Sequence, residues 1–409
     1  MKYNYRQIFN QKEYLKFIAA NFINRLGDSI DTVAFTWLVY DLTGSASWSA
    51  IVFGVNMIPN VLIQPFAGAI VEKMEKKRVL IITDAARAFL TLCIALLYIK
   101  GILQPWMLLM ITFLNSSFEA FHSPASTSFI PMILDKQYYN FGVSFAQSSY
   151  RLCELIGIGA GGVLLAGTGI FGAIVCDAVS FLLSALLIFF IHVEEEVNCS
   201  FHHEQTYFQL LKEGIGYVKD SPVLIFICFG TALTNIVLVP YNSLLTPFIR
   251  DVLHGNAAML SQSLIALSIG MGIGSFLYPY LHTKLSNRFL FLIGGFATGV
   301  YYFSLVKLVS YNIQLLTAML LLFSFLFGCF VALMINVINL SLMKQVEKTY
   351  LARTSAILNA TSTLAIPLTS FLLSVICINI SIPMIFLFFA IFTFLVFTGM
   401  ICMKSLKQL

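Results

Sequence analysis

The chain has 409 residues, of which 59% are hydrophobic and 11% are charged, with a formal net charge of +5. Soluble domains carry roughly 25% charged residues, so a water-soluble globular fold is excluded. About 240 apolar residues, at ~20 per span, allow roughly twelve transmembrane helices. The apolar residues run continuously instead of alternating, which excludes a transmembrane β-barrel and leaves a helical bundle, the one other architecture that satisfies its own backbone in lipid.

In chain order, polar, Gly and Pro punctuation predicts spans near 15–41, 46–71, 79–99, 105–129, 140–166 and 170–192, then 221–249, 257–282, 288–309, 313–343, 353–377 and 381–403. The polar stretch from Val193 to Asp220 divides the two sixes. The expected fold is therefore an all-α polytopic membrane protein with twelve transmembrane helices in two pseudo-symmetric six-helix bundles, residues 1–192 and 221–409, joined by a cytoplasmic linker, 193–220. A charged, tyrosine-bearing link before the fifth span of each half, Leu134–Ser144 and Lys344–Ser355, fits that repetition.

Of the 24 Lys and Arg, all but six fall on one set of alternate loops and the termini. Lys100, Arg250 and Lys307 lie on the other side, and Arg25, Arg87 and Arg151 lie inside spans. The positive-inside bias puts both termini and the linker in the cytoplasm of a cell with this chain in its inner membrane. The basic excess is thus topological, and no nucleic-acid partner is implied. The stretch around Lys2, Arg6 and Lys12 lacks the short apolar run and small-residue site of a removable signal peptide. The eight cysteines show neither a disulfide framework nor metal-ligand spacing, and adjacent His202, His203 and Glu204 read as solvated linker, so no metal and no cofactor are expected.

Charge inside a span costs at least ~2.5 kcal/mol on insertion scales. It is concentrated in the first six spans: Arg25, Asp28, Asp31, Asp84, Arg87, Glu119, Arg151, Glu154 and Asp177. Three-residue spacing pairs Arg25 with Asp28, Asp84 with Arg87 and Arg151 with Glu154 on single helix faces. Asp31, Glu119 and Asp177 are left without an intrahelical partner. A carboxylate near the midplane without a cation is suited to reversible proton binding, and Asp28, Asp31, Glu119, Arg151 and Glu154 are the proton-coupling candidates. The bland alternatives are a helix-stapling Asp84/Arg87 pair, an Asp177 bonded to backbone or small side chains, and an inert Arg151/Glu154 pair. His122 is the one histidine well inside a span.

The later spans carry neutral polar residues among many Phe and Met: Asn235, Asn242, Asn336, Asn339 and Asn359, with Tyr241 beside a likely helix break at Pro240. Such a wall suits a lipophilic ligand oriented by a few hydrogen bonds, although lipid-facing packing accounts for most of the Phe. Gly157-Ile-Gly-Ala-Gly-Gly162, inside an apolar span, is a face for close helix packing. No convergent nucleophile or metal set of an intramembrane enzyme is visible.

Several segments resemble the major facilitator branch that contains the macrolide efflux proteins: Asn24-Arg-Leu-Gly-Asp28 through Ser45, Asp84-Ala-Ala-Arg87, Ala120-Phe-His-Ser-Pro-Ala125, Asp177-Ala-Val-Ser-Phe181 and Glu213-Gly-Ile-Gly-Tyr-Val218. Gly68-Ala-Ile-Val-Glu72-Lys73 with Lys77-Arg78 is similar to the superfamily loop motif between spans two and three. The resemblance implies a cytoplasmic gate latch of Gly68, Glu72, Lys73 and Lys77, with Asp84 and Arg87 in the same network. It also implies a monomeric, proton-driven exporter of a lipophilic, drug- or macrolide-like small molecule by alternating access, with membrane lipid around it. Glu72 stands where the motif has Asp and Glu75 where it has Gly, which alters the tight turn. Gly157-Ile158 stands where antiporters have Gly-Pro, which leaves room for a lipid or lysolipid flippase without obligatory proton movement. An intramembrane enzyme or a scaffold is the remote alternative.

Overall fold

The computed structural model describes residues 10–135, 138–193, 216, 219, 221–308, 313–345 and 351–401. Every regular element among them is helical: α1 Lys12–Thr43, α2 Ala46–Leu62, α3 Gln64–Glu72, α4 Lys76–Ile99, α5 Pro105–Ile133, α6 Tyr139–Phe189, α7 Pro222–Pro247, α8 Ala257–Lys284, α9 Asn287–Leu308, α10 Ile313–Gln345, α11 Leu351–Asn379 and α12 Ile382–Ile401. A short π-helical turn, Phe248–Val252, continues α7.

Among the described residues, eight helices are long and apolar enough to cross a membrane, and the bent pair α2–α3, taken as one span, makes a ninth. The predicted spans beyond these have physical explanations. α6 is 51 residues long because it joins two helices at Gly169, whose φ of 70° suits a residue without Cβ. The break falls between the predicted fifth and sixth spans. α2 and α3 bend by 41° at Ile63, where Pro65 starts the new helix. α1 and α5 fall below the hydropathy of the others because they carry the buried polar residues described below. The fold is an all-α polytopic membrane fold.

The chain divides into two compact units, Met1–Gly44 with Val55–Phe201, and Ser45–Gly54 with His202–Leu409. Of the expected linker, Val193, Gly216 and Lys219 are described; its remainder lies outside the described residues, as do the side chains of the second tyrosine link. In the first unit α6 packs on α1 and α4, and α5 packs on α3 and α4. Its apolar core includes Tyr14, Phe17, Leu80, Phe129 and Ile188. The Tyr14 hydroxyl donates to the Gly142 carbonyl at 2.7 Å. Glu13 accepts from the His192 backbone N–H at 2.8 Å, and Lys16 donates to the Phe190 carbonyl at 3.1 Å, so the start of α1 is tied to the end of α6.

In the second unit α8 packs along α10, α9 against α10 and α12, and α7 against α11. Lipid tails offer apolar helices as much as another apolar helix does, so close van der Waals approach decides which faces meet. α8 and α10 interlock through glycines. A Cβ on Gly270 would lie 2.0 Å from the Phe325 carbonyl oxygen, one on Gly274 2.3 Å from that of Cys329, and one on Gly328 2.1 Å from that of Leu267. In the first unit, a Cβ on Gly157 would lie 2.7 Å from the Leu26 carbonyl oxygen, in keeping with the close-packing role read from that glycine face.

Gly274→Ala should therefore lower stability by ~1–3 kcal/mol, the usual effect of overpacking. Gly272→Ala, whose Cβ meets open space, should leave stability unchanged or raise it by up to ~1 kcal/mol. Thermal unfolding of the two purified variants measures the difference, and equal midpoints would refute the interlock.

Candidate functional site: a buried charge ladder in the first unit

Hydroxyl side chains line α1 and bond back to its own carbonyls: Ser29 to Arg25 at 2.8 Å, Thr32 to Asp28 at 2.9 Å and Thr36 to Thr32 at 2.9 Å. They satisfy themselves locally and leave Asn24 and Asp28, one turn apart, to face other helices. α4 presents Asp84 and Arg87, α5 presents Asn115, Glu119 and His122, and α6 presents Asp177, Phe181 and Ser184, all at helical spacing.

These groups meet in two rungs. In the first, Arg87 Nη2 donates to Asp28 Oδ1 at 2.7 Å and Nε donates to Asn115 Oδ1 at 3.2 Å. Its Nη1 pairs with Glu119 Oε2, and its guanidinium carbon lies 4.1 Å from the centroid of the Phe181 ring. The Arg87 side chain is 6% exposed, against 22% for Asp28 and 38% for Glu119. A planar fork with five donors matches this arrangement of two carboxylates, an amide and a ring, which an ammonium group would not.

In the second rung Asp84, fully buried, accepts from Asn24 Nδ2 at 2.9 Å and from the Ser184 hydroxyl at 2.6 Å. His122 Nε2 lies 3.2 Å from Asp84 Oδ1. Each helix contributes to both rungs one turn apart: Asn24 and Asp28, Asp84 and Arg87, His122 and Glu119, Ser184 and Phe181. Beyond the Arg87 rung, the buried Asp177 Oδ1 has no hydrogen-bond partner among the described residues. It lies against Gly27, where a Cβ would come within 2.7 Å of it.

The spacing rule is corrected by this geometry. Arg151 does pair with Glu154, at 3.0 Å. Arg25 lies 4.0 Å from the same Glu154 oxygen, across helices. Asp84 and Arg87 do not simply staple one another, because each finds its close partners on α1, α5 and α6. Glu119, expected to be without a cation, shares Arg87 with Asp28. Sequence spacing shows only what one helix can do alone, and a buried guanidinium draws on every helix around it. Asn24, Asn115, His122 and Ser184 were missed as site residues, although each stands three, four or seven positions from a buried acid on its own helix.

The loop-motif residues lie at the α3–α4 junction. Glu72 ends α3 with its side chain exposed, and its carbonyl accepts from Lys76 Nζ at 2.9 Å. Lys73 is the exposed residue after it, Gly68 has open space at its Cβ position, and Lys77 Nζ lies 5.7 Å from the Phe189 ring. Arg78 pairs with Glu75 at 2.5 Å.

In the second unit Asn235 donates to the Ser362 carbonyl at 2.9 Å, and Asn336 donates to Ser275 Oγ at 3.1 Å and to the Ala332 carbonyl at 2.8 Å. Asn242 and Asn339 are exposed, and the Asn359 side chain lies outside the described residues. Tyr241 is buried beside the Tyr301 and Phe327 rings, at 5.9 and 5.3 Å between centroids. The Tyr302 hydroxyl accepts from the Tyr241 N–H at 3.2 Å and donates to the Val237 carbonyl at 2.5 Å. It is inserted where Pro240 interrupts the α7 ladder.

A family model described as transmembrane secretion effector, of the major facilitator type, matches residues 8–408. The chain belongs to this family. Among curated relatives, this family member is similar to the MFS-type transporter YkuC of Bacillus subtilis, 24% identical over 311 residues, which are 73% of this chain and 71% of that protein. It is also similar to macrolide efflux protein A of Streptococcus pyogenes, 20% identical over 261 residues, 63% of this chain and 64% of that protein. The matches thus span about two thirds of these relatives' length. Among solved structures, that of the nucleoside transporter NupG matches with a TM-score of 0.73 at 16% identity, covering 96% of this chain and 100% of that one. At that identity the likeness shows the fold. The chain is a major facilitator transporter of the secondary type, and its family and structural neighbours are transporters, not enzymes.

Removing one member of a buried ion pair leaves an uncompensated charge and costs ~3–5 kcal/mol. Arg87→Met should destabilise the transporter by about that amount, and adding Glu119→Gln and Asp28→Asn should restore part of the loss. Thermal unfolding of the single and triple variants reads the coupling. Additive losses would mean that the three side chains do not act as a unit.

Proposed function

We propose that the chain exports a lipophilic small molecule, cationic or neutral, by alternating access in exchange for protons, and that the Arg87 rung carries the coupling. The supporting observation is the sharing of one buried guanidinium by Asp28 and Glu119. Asp31, Asp84 and Asp177 lie on the same helices, so five acids surround one deeply buried arginine. The buried guanidinium must be balanced, while Asp28 and Glu119, 22% and 38% exposed, can exchange protons with water. Protonating Glu119 or Asp28 frees one arm of Arg87 and biases the two-state equilibrium. Macrolide efflux by a relative supports the export direction and the class of substrate. The asparagines and aromatic residues of the second unit supply the apolar wall, with Asn242 and Asn339 as the exposed hydrogen-bonding groups.

In inside-out vesicles with an acidic lumen, the wild-type protein should accumulate ethidium and release protons as it does so. Glu119→Gln and Asp31→Asn should each abolish the gradient-driven part. Full activity in both variants would sink proton coupling. Movement of a fluorescent lysolipid without proton flux would favour the flippase reading instead.

We further infer a monomer in the cytoplasmic membrane with both termini inside, from the one-sided Lys and Arg. A fluorescent protein fused after Leu409 should fluoresce, whereas alkaline phosphatase at the same place should be inactive. Active phosphatase there would reverse the topology.

A further inference from the structure

We propose that His122, oriented by Asp84, is a second proton carrier of the transport cycle, working one helical turn from the Arg87–Glu119 pair. This rests on the proton-coupled reading above and adds a residue to it. Asp84 is filled by donors: Asn24 and Ser184 supply hydrogen bonds to its two oxygens, and His122 Nε2 faces Oδ1 at 3.2 Å. The 3.2 Å approach is a charge contact outside hydrogen-bond geometry, so Asp84 is placed to balance an imidazolium at His122.

Placement on α5 supplies the second half of the argument. His122 and Glu119 are three residues apart, so they share a helix face at neighbouring positions. When the proton passes by way of water from the Glu119 carboxyl to the imidazole, the new carboxylate is held by Arg87 and the new imidazolium is balanced by Asp84. That transfer leaves the net charge of the ladder unchanged, and release of the proton from Nδ1 to water then lowers it by one. A purely structural histidine would need only a donor to Asp84, and Asn24 and Ser184 already supply two.

The charged groups that act on His122 are Asp84 and Arg87 on α4, Glu119 on its own helix and Asp28 on α1. α3, which also packs on α5, carries only Glu72, at its exposed end. Asp84 and Glu119 are therefore the anions whose removal should be felt most at His122.

The chain has six histidines. Replacing His192, His202, His203, His254 and His282 by Gln leaves His122 as the one imidazole, with no change in the ladder. In lipid nanodiscs, the 15N signals of that protein should show a protonation change of the imidazole between about pH 5 and 9. At neutral pH the imidazolium fraction should fall at least about threefold when Asp84→Asn or Glu119→Gln removes a neighbouring anion. In the vesicle assay, His122→Gln, which keeps a donor beside Asp84, should flatten the pH profile of ethidium transport and leave its folding intact. A signal that does not titrate, or that titrates alike in the Asp84→Asn and Glu119→Gln backgrounds, overturns the proposal. Loss of coupling in Glu119→Gln with an unaltered pH profile in His122→Gln refutes the histidine alone. Full activity in Glu119→Gln and Asp31→Asn refutes the proton-coupled reading beneath it.

Discussion

A guanidinium buried inside a membrane bundle is the constraint around which the first unit is organised. Arg87 stays charged at any physiological pH, and several kcal/mol of lost hydration have to be offset by fixed partners. Asp28 from α1, Asn115 and Glu119 from α5 and the Phe181 ring from α6 supply them. Satisfying one side chain therefore fixes the facing sides and the relative height of four helices. Asp84, one turn away, repeats the demand with the opposite sign and finds Asn24, Ser184 and His122 on the same three neighbours. Two rungs at one-turn spacing specify register more strictly than apolar contact does, because sliding α1 or α5 by a turn would bring Asp28 or Glu119 against Asp84.

The second unit meets the same lipid environment with its charged residues near helix ends. Its helices are matched by shape, with Gly270, Gly274 and Gly328 letting α8 and α10 approach until backbone touches backbone. The interruption that Pro240 makes in α7 is mended by the Tyr302 hydroxyl, which bridges the Tyr241 N–H and the Val237 carbonyl. The Tyr301 and Phe327 rings, stacked at 4.2 Å, fill the space beside it. The described ion-pair ladder thus lies in the first unit, and the aromatic and amide packing around α7 in the second. The proposed function assigns protons to the former and cargo to the latter.

The helices and their approximate ends were legible in the sequence because hydropathy and punctuation are local properties. Gly169 falls where the pattern breaks, whereas the Ile63–Pro65 bend falls inside the predicted 46–71 span. The buried ions were legible as a set for the same reason: each stands out against the apolar run around it. Their partners were not, since i, i+3 spacing cannot show that Arg87 turns toward α1 and α5. His122 was visible as a histidine inside a span, but its meaning depends on Asp84, 38 positions earlier in the chain. α1 and α5 lose hydropathy through the residues that build the ladder, so the site weakens the very signal by which its helices are recognised.

The number of protons carried limits what such a ladder can drive. One proton moving down one pH unit supplies about 1.4 kcal/mol, enough for a tenfold substrate gradient. If the substrate carries one positive charge, exchanging it for one proton moves no net charge, and the membrane potential, ~2.3 kcal/mol per 100 mV, contributes nothing. A second carrier in series, as proposed for His122, leaves this arithmetic unchanged, because the proton that passes from Glu119 to His122 is still one proton and one pH unit still supports about a tenfold gradient. What the relay adds in that proposal is a path: the Arg87 pair switches the conformation, and the imidazole beside Asp84 carries the same proton on to water.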